Sequence, residues 1–349
     1  MRYLIIRLTS LGSVAMSVPL ISSLSRRYTD DEFVYVARKD LADLFHGMPN
    51  VRYVRFTPSH NSSSLTRSGE LCAMVSGLHA IRRFDAVVDL QGDTTTFLTR
   101  CWCLTHGVKS YCISRTDAIH RWAYIQSSGK ASQPPAMADS YAAALRSAGF
   151  TIDDDFTALD INTQAAEFIN ERFGNGVGER WIGIAPFAKS ATNTLPFRTT
   201  KGIIQYFSEQ PNTRVFLFGA GVVESEMLNQ WSSIYDNVVS VAGMLSLGSE
   251  LELMRRLSGM ICMDSANQHL ASLVALKVIT IWGGTTPENG FLAWKQDKNM
   301  CLEPRRNIPC RPCALNGNNK CAKKTYECLG LYSVAQILQH YNEAYNLPK

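Results

Sequence analysis

Apolar runs of strand length alternate with helix-patterned stretches in two successive series, and this alternation restricts the fold more than any other property of the chain. In the first series the runs are YLIIRL (3–8), FVYVA (33–37), VRYVRF (51–56), AVVDL (86–90) and VKSYCIS (108–114), with helical periodicity near 13–27, 40–46, 69–82 and 93–105. In the second they are WIGIAP (181–186), VFLFGA (215–220), VVSVAG (238–243), GMICMD (259–264) and VITIWGG (278–284), with helices near 199–209, 222–233, 247–258 and 267–275. Strands joined through helices pair in parallel, because each crossover carries the helix over a face of the sheet and returns the chain in the same direction. The class is therefore α/β, with both faces of each sheet covered. A chain of 349 residues exceeds what one core serves, so two Rossmann-like domains are expected, 1–160 and 161–349. Ser-rich stretches at 60–69 and 126–138 read as loops, 138–150 as a helix, and 334–346 as a closing helix that packs through Val334, Ile337, Leu338 and Tyr341. Ligands of such sheets sit beyond the carboxyl ends of the strands, which for two domains means the cleft between them.

Composition excludes several classes. With 46% hydrophobic and 19% charged residues the chain is globular, far from the polar bias of disorder. No apolar run approaches the roughly 20 residues of a membrane-crossing helix. Met-Arg followed at once by a strand lacks the apolar core and cleavage site of a secretory signal, so the cytoplasm is the expected location. The net charge is +5, and basic residues pair at Arg26-Arg27, Arg82-Arg83, Arg305-Arg306 and Lys323-Lys324. Such pairs form either a solvated face or a surface for anionic partners such as phosphates or an acidic inner membrane face. Nucleic acid fits poorly, since no basic stretch is interleaved with aromatics. Of ten cysteines, Cys301, Cys310, Cys313, Cys321 and Cys328 crowd the tail. The C-x2-C start suits two thiolates on one zinc, but the second pair is loosely spaced, so free thiols and no metal are expected, with zinc at Cys310, Cys313, Cys321 and Cys328 as the alternative.

Chemistry-bearing residues gather where strands give way to helices. The turn TSLGS (9–13) offers Ser10, Gly12 and Ser13 to an anion at a helix N-terminus, and Ser13 reads equally as an N-cap. APFAKSATNTLP (185–196) is rich in hydroxyls and carries Lys189 and Ser190, a set suited to phosphate oxygens. Gly219-x-Gly221 lacks the third glycine of a dinucleotide fingerprint, which leaves an NAD-linked oxidoreductase as a remote rival; Glu224, just beyond, suits ribose hydroxyls. MDSANQHLASL (263–273) presents Asp264, Ser265, Ala266 and Asn267 at one strand-to-helix junction, with His269 two residues further, and WGGTTP (282–287) forms a second polar turn.

The stretches LIIRLTSLGSVAMSVPLISSL, IGIAPFAK, VAGMLSL, MDSANQHLASL and IWGGTTP, in this order, resemble glycosyltransferase family 9, the bacterial ADP-heptose:lipopolysaccharide heptosyltransferases. PCRPCALNGNNKCAKKTYECL (309–329) is similar to a cysteine-bearing segment of some members. The resemblance implies a GT-B fold, two Rossmann-like domains facing across a cleft, with a lipid-linked glycan acceptor on the first and a nucleotide diphosphate sugar on the second. It further implies inversion at the anomeric carbon with no metal or other cofactor. By position, it puts Ser10 and Gly12 in the acceptor-side turn. Asp264, Ser265, Ala266, Asn267 and His269 fall in the donor loop, Glu224 at the ribose, and Gly243, Leu245 and Ser246 near the base. Two positions depart from the family. Its S-L-G-D turn ends in the aspartate taken as general base, where this chain has Ser13; its lysine three residues before the proline is here Asn193. A serine hydroxyl does not replace a carboxylate as base, a role that contributes ~10²–10⁴ in rate. Lys189 on the same loop is the candidate to offset the missing charge, and Asp93 is the alternative base. The expected function is transfer of heptose or a similar sugar to a lipopolysaccharide core at the inner membrane; the rival is a sugar-nucleotide-binding pseudoenzyme.

Overall fold

The computed structural model describes residues 1–315, 317 and 320–346. It comprises two compact units, one of Met1–Ile119 with Pro135–Asp160, the other of His120–Pro134 with the chain from Ile161 onward.

The first unit contains β1 (Arg2–Ile6), α1 (Leu11–Ala15), α2 (Val18–Arg27), β2 (Glu32–Ala37), β3 (Val51–Arg55), α3 (Ser64–Ile81), β4 (Ala86–Asp89), α4 (Thr94–Thr105), β5 (Lys109–Cys112), the start of α5 (Arg115–Gln126), and α6 (Met137–Ser147). Its five strands are parallel in the order β3-β2-β1-β4-β5. Central β1 is buried by both neighbours, Leu4 lying between Val34 and Val87. Leu71 and Val75 of α3 and Cys103 of α4 close over these residues.

The helix expected over 13–27 is two helices. Pro19, in the second position of α2, has no N–H to continue the ladder, so the first helix stops at Ala15. The expected loop at 60–69 is half helix: Ser63 Oγ accepts from Thr66 N at 3.0 Å and starts α3 at Ser64. The stretch at 40–46 tightens to one 3₁₀ turn, Ala42–Phe45.

The second unit contains α7 (Thr163–Phe173), β6 (Arg180–Ala185), α8 (Phe197–Ser208), β7 (Thr213–Leu217), α9 (Val222–Ser232), β8 (Val238–Ser240), α10 (Leu247–Arg256), β9 (Gly259–Met263), α11 (Ala266–Leu273), β10 (Val278–Ile281), β11 (Cys301–Leu302), α12 (Glu327–Gly330) and α13 (Val334–Ala344). The strands are parallel in the order β11-β10-β9-β6-β7-β8. Ile337, Leu338 and Tyr341 of α13 are buried in the same core as Ile182, Val215 and Ile279. Asn316, Asn318 and Asn319, inside the cysteine-bearing segment, and residues 347–349 lie outside the described residues.

Candidate functional site

Each sheet reverses its winding once, between β1 and β4 in the first and between β6 and β9 in the second. At such a reversal the loops leaving the two strands diverge, and a crevice opens beyond their carboxyl ends.

At the second sheet's crevice, loops after β6, β9 and β10 are joined by one carboxylate. Asp264 Oδ2 accepts from Asn193 Nδ2 at 3.0 Å and from the Thr285 hydroxyl at 2.7 Å, while Oδ1 accepts from Gln268 Nε2 at 2.7 Å. Asn193 also donates to Thr285 Oγ1 at 2.9 Å and accepts from Gly284 N at 3.1 Å. Burial raises the Asp264 carboxyl to about 6 against the pull of its three hydrogen bonds. Asn193 is 2% exposed, so its amide is spent within this network, whereas Lys189 is exposed and makes no ion pair among the described residues. Ser190 is buried, and its carbonyl accepts from Asn193 N at 2.9 Å. Ser265 is the N-cap of α11, its hydroxyl accepting from Asn267 N. His269 is buried and its pKa falls to about 4, which keeps the imidazole neutral near pH 7; its Nδ1 has no partner in the structure. Ala266 and Asn267, the first residues of α11, remain partly exposed.

A second cluster of the same unit lies beyond β7 and β8. Glu224, in the first turn of α9, accepts from Ala220 N at 2.9 Å and so braces the turn in which Gly221 adopts φ +85°. Gly243 adopts φ +73°, a backbone conformation that favours glycine, while an added Cβ would meet only ordinary contact with Ser225 Oγ at 3.7 Å. Leu245 is partly exposed, and Ser246 caps α10 by accepting from Ser249 N at 3.1 Å.

The first sheet's crevice is built around Gln91. Its Oε1 accepts from Arg7 Nη1 at 2.6 Å and Leu8 N at 3.2 Å, tying the loop after β4 to the loop after β1, and its Nε2 donates to Asp93 Oδ2 at 2.8 Å. Asp93 Oδ1 accepts from Thr95 N at 2.8 Å and caps α4. Ser10, extended at φ −96°, holds the N-cap position of α1 without a side-chain cap bond, and Gly12 is buried in the first turn. Ser13 is therefore not the N-cap: the helix starts at Leu11, which places Ser13 inside its first turn, 8% exposed, with its hydroxyl 3.4 Å from that of Ser10.

The cysteine-bearing segment is pinned to the second sheet's crevice. Arg311 Nε donates to Gly283 O at 2.6 Å and its Nη2 to Thr285 O at 2.7 Å, and Cys313 N donates to Gly284 O at 2.8 Å. Cys310, Cys313, Cys321 and Cys328 line one cavity of about 40 Å³ with Thr192 and Gly284. Burial raises Cys313 to about 11, while Cys321 is lowered, first by the N–H of Tyr326 and then by those of Lys323, Thr325 and Lys324. Among the described residues, no group of three or more His, Cys, Asp or Glu is arranged to hold a metal ion.

The structure thus joins Asn193 with Asp264, and separately the turns of Glu224 and Gly243. Sequence reasoning placed Thr285 in a polar turn without a role and missed Gln268, Arg311 and Gln91. Gln268 was legible as the residue one turn beyond Asp264 on a helix, and Gln91 as a polar group beside Gly92 at a strand end. Arg311 carried no local signal.

The sequence profile of glycosyltransferase family 9 (heptosyltransferase) matches residues 77–318. Among curated protein sequences none matches. Solved structures share the fold at low identity. A glycosyl transferase family 9 protein from Veillonella parvula is 16% identical, with TM-score 0.74 over 99% of this chain and 97% of that one. The ADP-heptose lipopolysaccharide heptosyltransferase II of E. coli is 17% identical, with TM-score 0.70 over 99% of each chain. TibC of enterotoxigenic E. coli, described as an iron-containing dodecameric glycosyltransferase, is 14% identical, with TM-score 0.57 over 99% of this chain and 76% of that one.

Proposed function

The chain belongs to glycosyltransferase family 9, and from that membership we propose that it transfers heptose, or a closely similar sugar, from ADP-heptose to a lipopolysaccharide core or related lipid-linked glycan, with inversion and without a metal. The observation that carries the donor assignment is the Asp264–Asn193–Thr285 network at the reversal of the second sheet. It fixes the loops after β6, β9 and β10 around one crevice, where Lys189 supplies positive charge to a diphosphate and the first N–H groups of α11 face the same side. Glu224 takes the ribose hydroxyls, and Gly243, Leu245 and Ser246 flank the base. On this reading the first unit takes the acceptor beside Ser10 and Gly12. The work is done at the cytoplasmic face of an anionic membrane, which the protein contacts peripherally: no helix among the described residues is long and apolar enough to cross one.

Ser13, standing where a carboxylate is expected, favours a second reading as a sugar-nucleotide-binding protein with little turnover. A melting screen decides the donor, since a ligand at ~100 times its Kd stabilises by ~2.7 kcal/mol. ADP and ADP-heptose are expected to raise Tm more than UDP or GDP and their sugars. A larger shift with UDP or GDP compounds overturns the donor, and release of ADP from ADP-heptose separates the enzyme from the binding protein.

A further inference from the structure

We propose that Asp93 is the general base of this glycosyltransferase, an assignment that rests on the reading above. Of the two loops flanking the crevice of the first sheet, the one after β1 (7–10) carries no carboxylate, and the one after β4 (90–93) carries Asp93 alone. Asp89, at the end of β4, is excluded. It is fully buried, it is ion-paired with Arg100, and it accepts from the N–H groups of Gln91 and Gly92 at 2.9 Å each. Asp93 is exposed. Its two oxygens each accept one hydrogen bond, from Gln91 Nε2 and from Thr95 N. A carboxylate has about four acceptor sites, so both oxygens keep a lone pair while the group is held in one orientation.

Gln91 is the positioning residue. The same side chain that holds Asp93 also receives Arg7 Nη1 and Leu8 N, so the carboxylate is fixed relative to the turn that carries Ser10 and Gly12. A base lost at position 13 is thus replaced from the strand across the same crevice. In the transfer, the acceptor hydroxyl gives its proton to an Asp93 oxygen as the acceptor oxygen bonds to the anomeric carbon. The bond from that carbon to the diphosphate oxygen breaks, its electron pair leaves with the nucleoside diphosphate, and Asp93 then returns the proton to water.

Asp93→Asn keeps the cap, because asparagine caps a helix as well as aspartate and its amide oxygen accepts from Thr95 N. It gives up the bond from Gln91 Nε2, since Gln91 Oε1 is held by Arg7 and Leu8, so formate rescue of Asp93→Ala separates proton transfer from orientation. ADP release from ADP-heptose is measured with detergent-solubilised lipopolysaccharide core as acceptor and with water alone. Asp93→Asn is expected to lower the rate ~10²-fold or more with little change in Tm and unchanged ADP affinity. Formate is expected to return part of the rate to Asp93→Ala. A wild-type rate in Asp93→Asn overturns the assignment, as does a loss accompanied by lowered Tm without formate rescue, which makes Asp93 a cap only. Wild-type protein that binds neither ADP nor ADP-heptose overturns the donor reading instead, and the base assignment with it.

Discussion

At the scale of single residues, Asp264 carries a pH signature. The folded protein keeps a proton on this carboxyl up to about pH 6, while the ordinary value is 3.8. The native state therefore binds more protons than the unfolded chain between those values, and stability falls as pH rises through that window, by on the order of 1–3 kcal/mol, then levels off. Asn at 264 still accepts from Asn193 and Thr285, and Gln268, whose Oε1 has no partner in the structure, turns its amide to accept from the new NH₂. Asp264→Asn is expected to gain stability relative to wild type at pH 7 compared with pH 4.5. Parallel pH–Tm curves for the two proteins contradict this. Glu250, raised to about 7 by burial alone, contributes to both curves and cancels in the difference. Asp264→Ala is the poorer probe, since it leaves the buried Gln268 amide and Thr285 hydroxyl without their acceptor, at ~1–3 kcal/mol each, while Asn193 keeps only Thr285 Oγ1. The importance of Asp264 was legible from its place at a strand end. The fate of Asn193 was not, because its neighbours Thr285 and Gly284 are some ninety residues away in the chain.

Among the elements, the cysteine-bearing segment is tied to the second sheet's crevice by Arg311, which is 10% exposed and also pairs with Glu303 at 3.1 Å. Arg311→Ala leaves the carbonyls of Gly283 and Thr285 without that donor and is expected to cost ~1–3 kcal/mol. Loosening Thr285 frees one of the bonds that hold Asp264, so ADP affinity is expected to fall as well, with Arg311→Lys intermediate because an ammonium lacks the two-pronged fork. Unchanged ADP binding in calorimetry separates the segment from the donor site. Helices α5 and α7 escaped sequence reading for a physical reason: α5 buries only Arg121 and Tyr124, and α7 only Ala165 and Ile169. An apolar stripe that narrow does not stand out from a polar loop.

For the whole molecule, the paired basic residues divide once their neighbours are known. Arg26 pairs with Asp155, Arg27 with Asp153, Arg82 with Glu32 and Arg306 with Glu327. Arg83, Arg305, Lys323 and Lys324 remain exposed and unpaired among the described residues. Vesicles of anionic lipid are expected to bind the protein weakly at low salt and to release it at ~0.15 M, where charges are screened within ~8 Å. Lys323→Gln with Lys324→Gln should lower that binding and Arg26→Gln should not; equal binding to neutral vesicles removes the electrostatic reading. The sequence by itself determined two parallel sheets, since continuous apolar runs of strand length spaced by helices leave the chain few other ways to bury them. It also placed Asp264 at a strand end and Glu224 in the turn region that follows one, for the same local reason. Only the tertiary structure decided which strand ends adjoin. Strand order brings the loop after β4 beside the loop after β1, and the loop after β9 beside the loop after β6. Hydrogen bonds between residues seventy or more positions apart then turned Asn193 into a buried bridge and gave Asp93 its fixed orientation through Gln91.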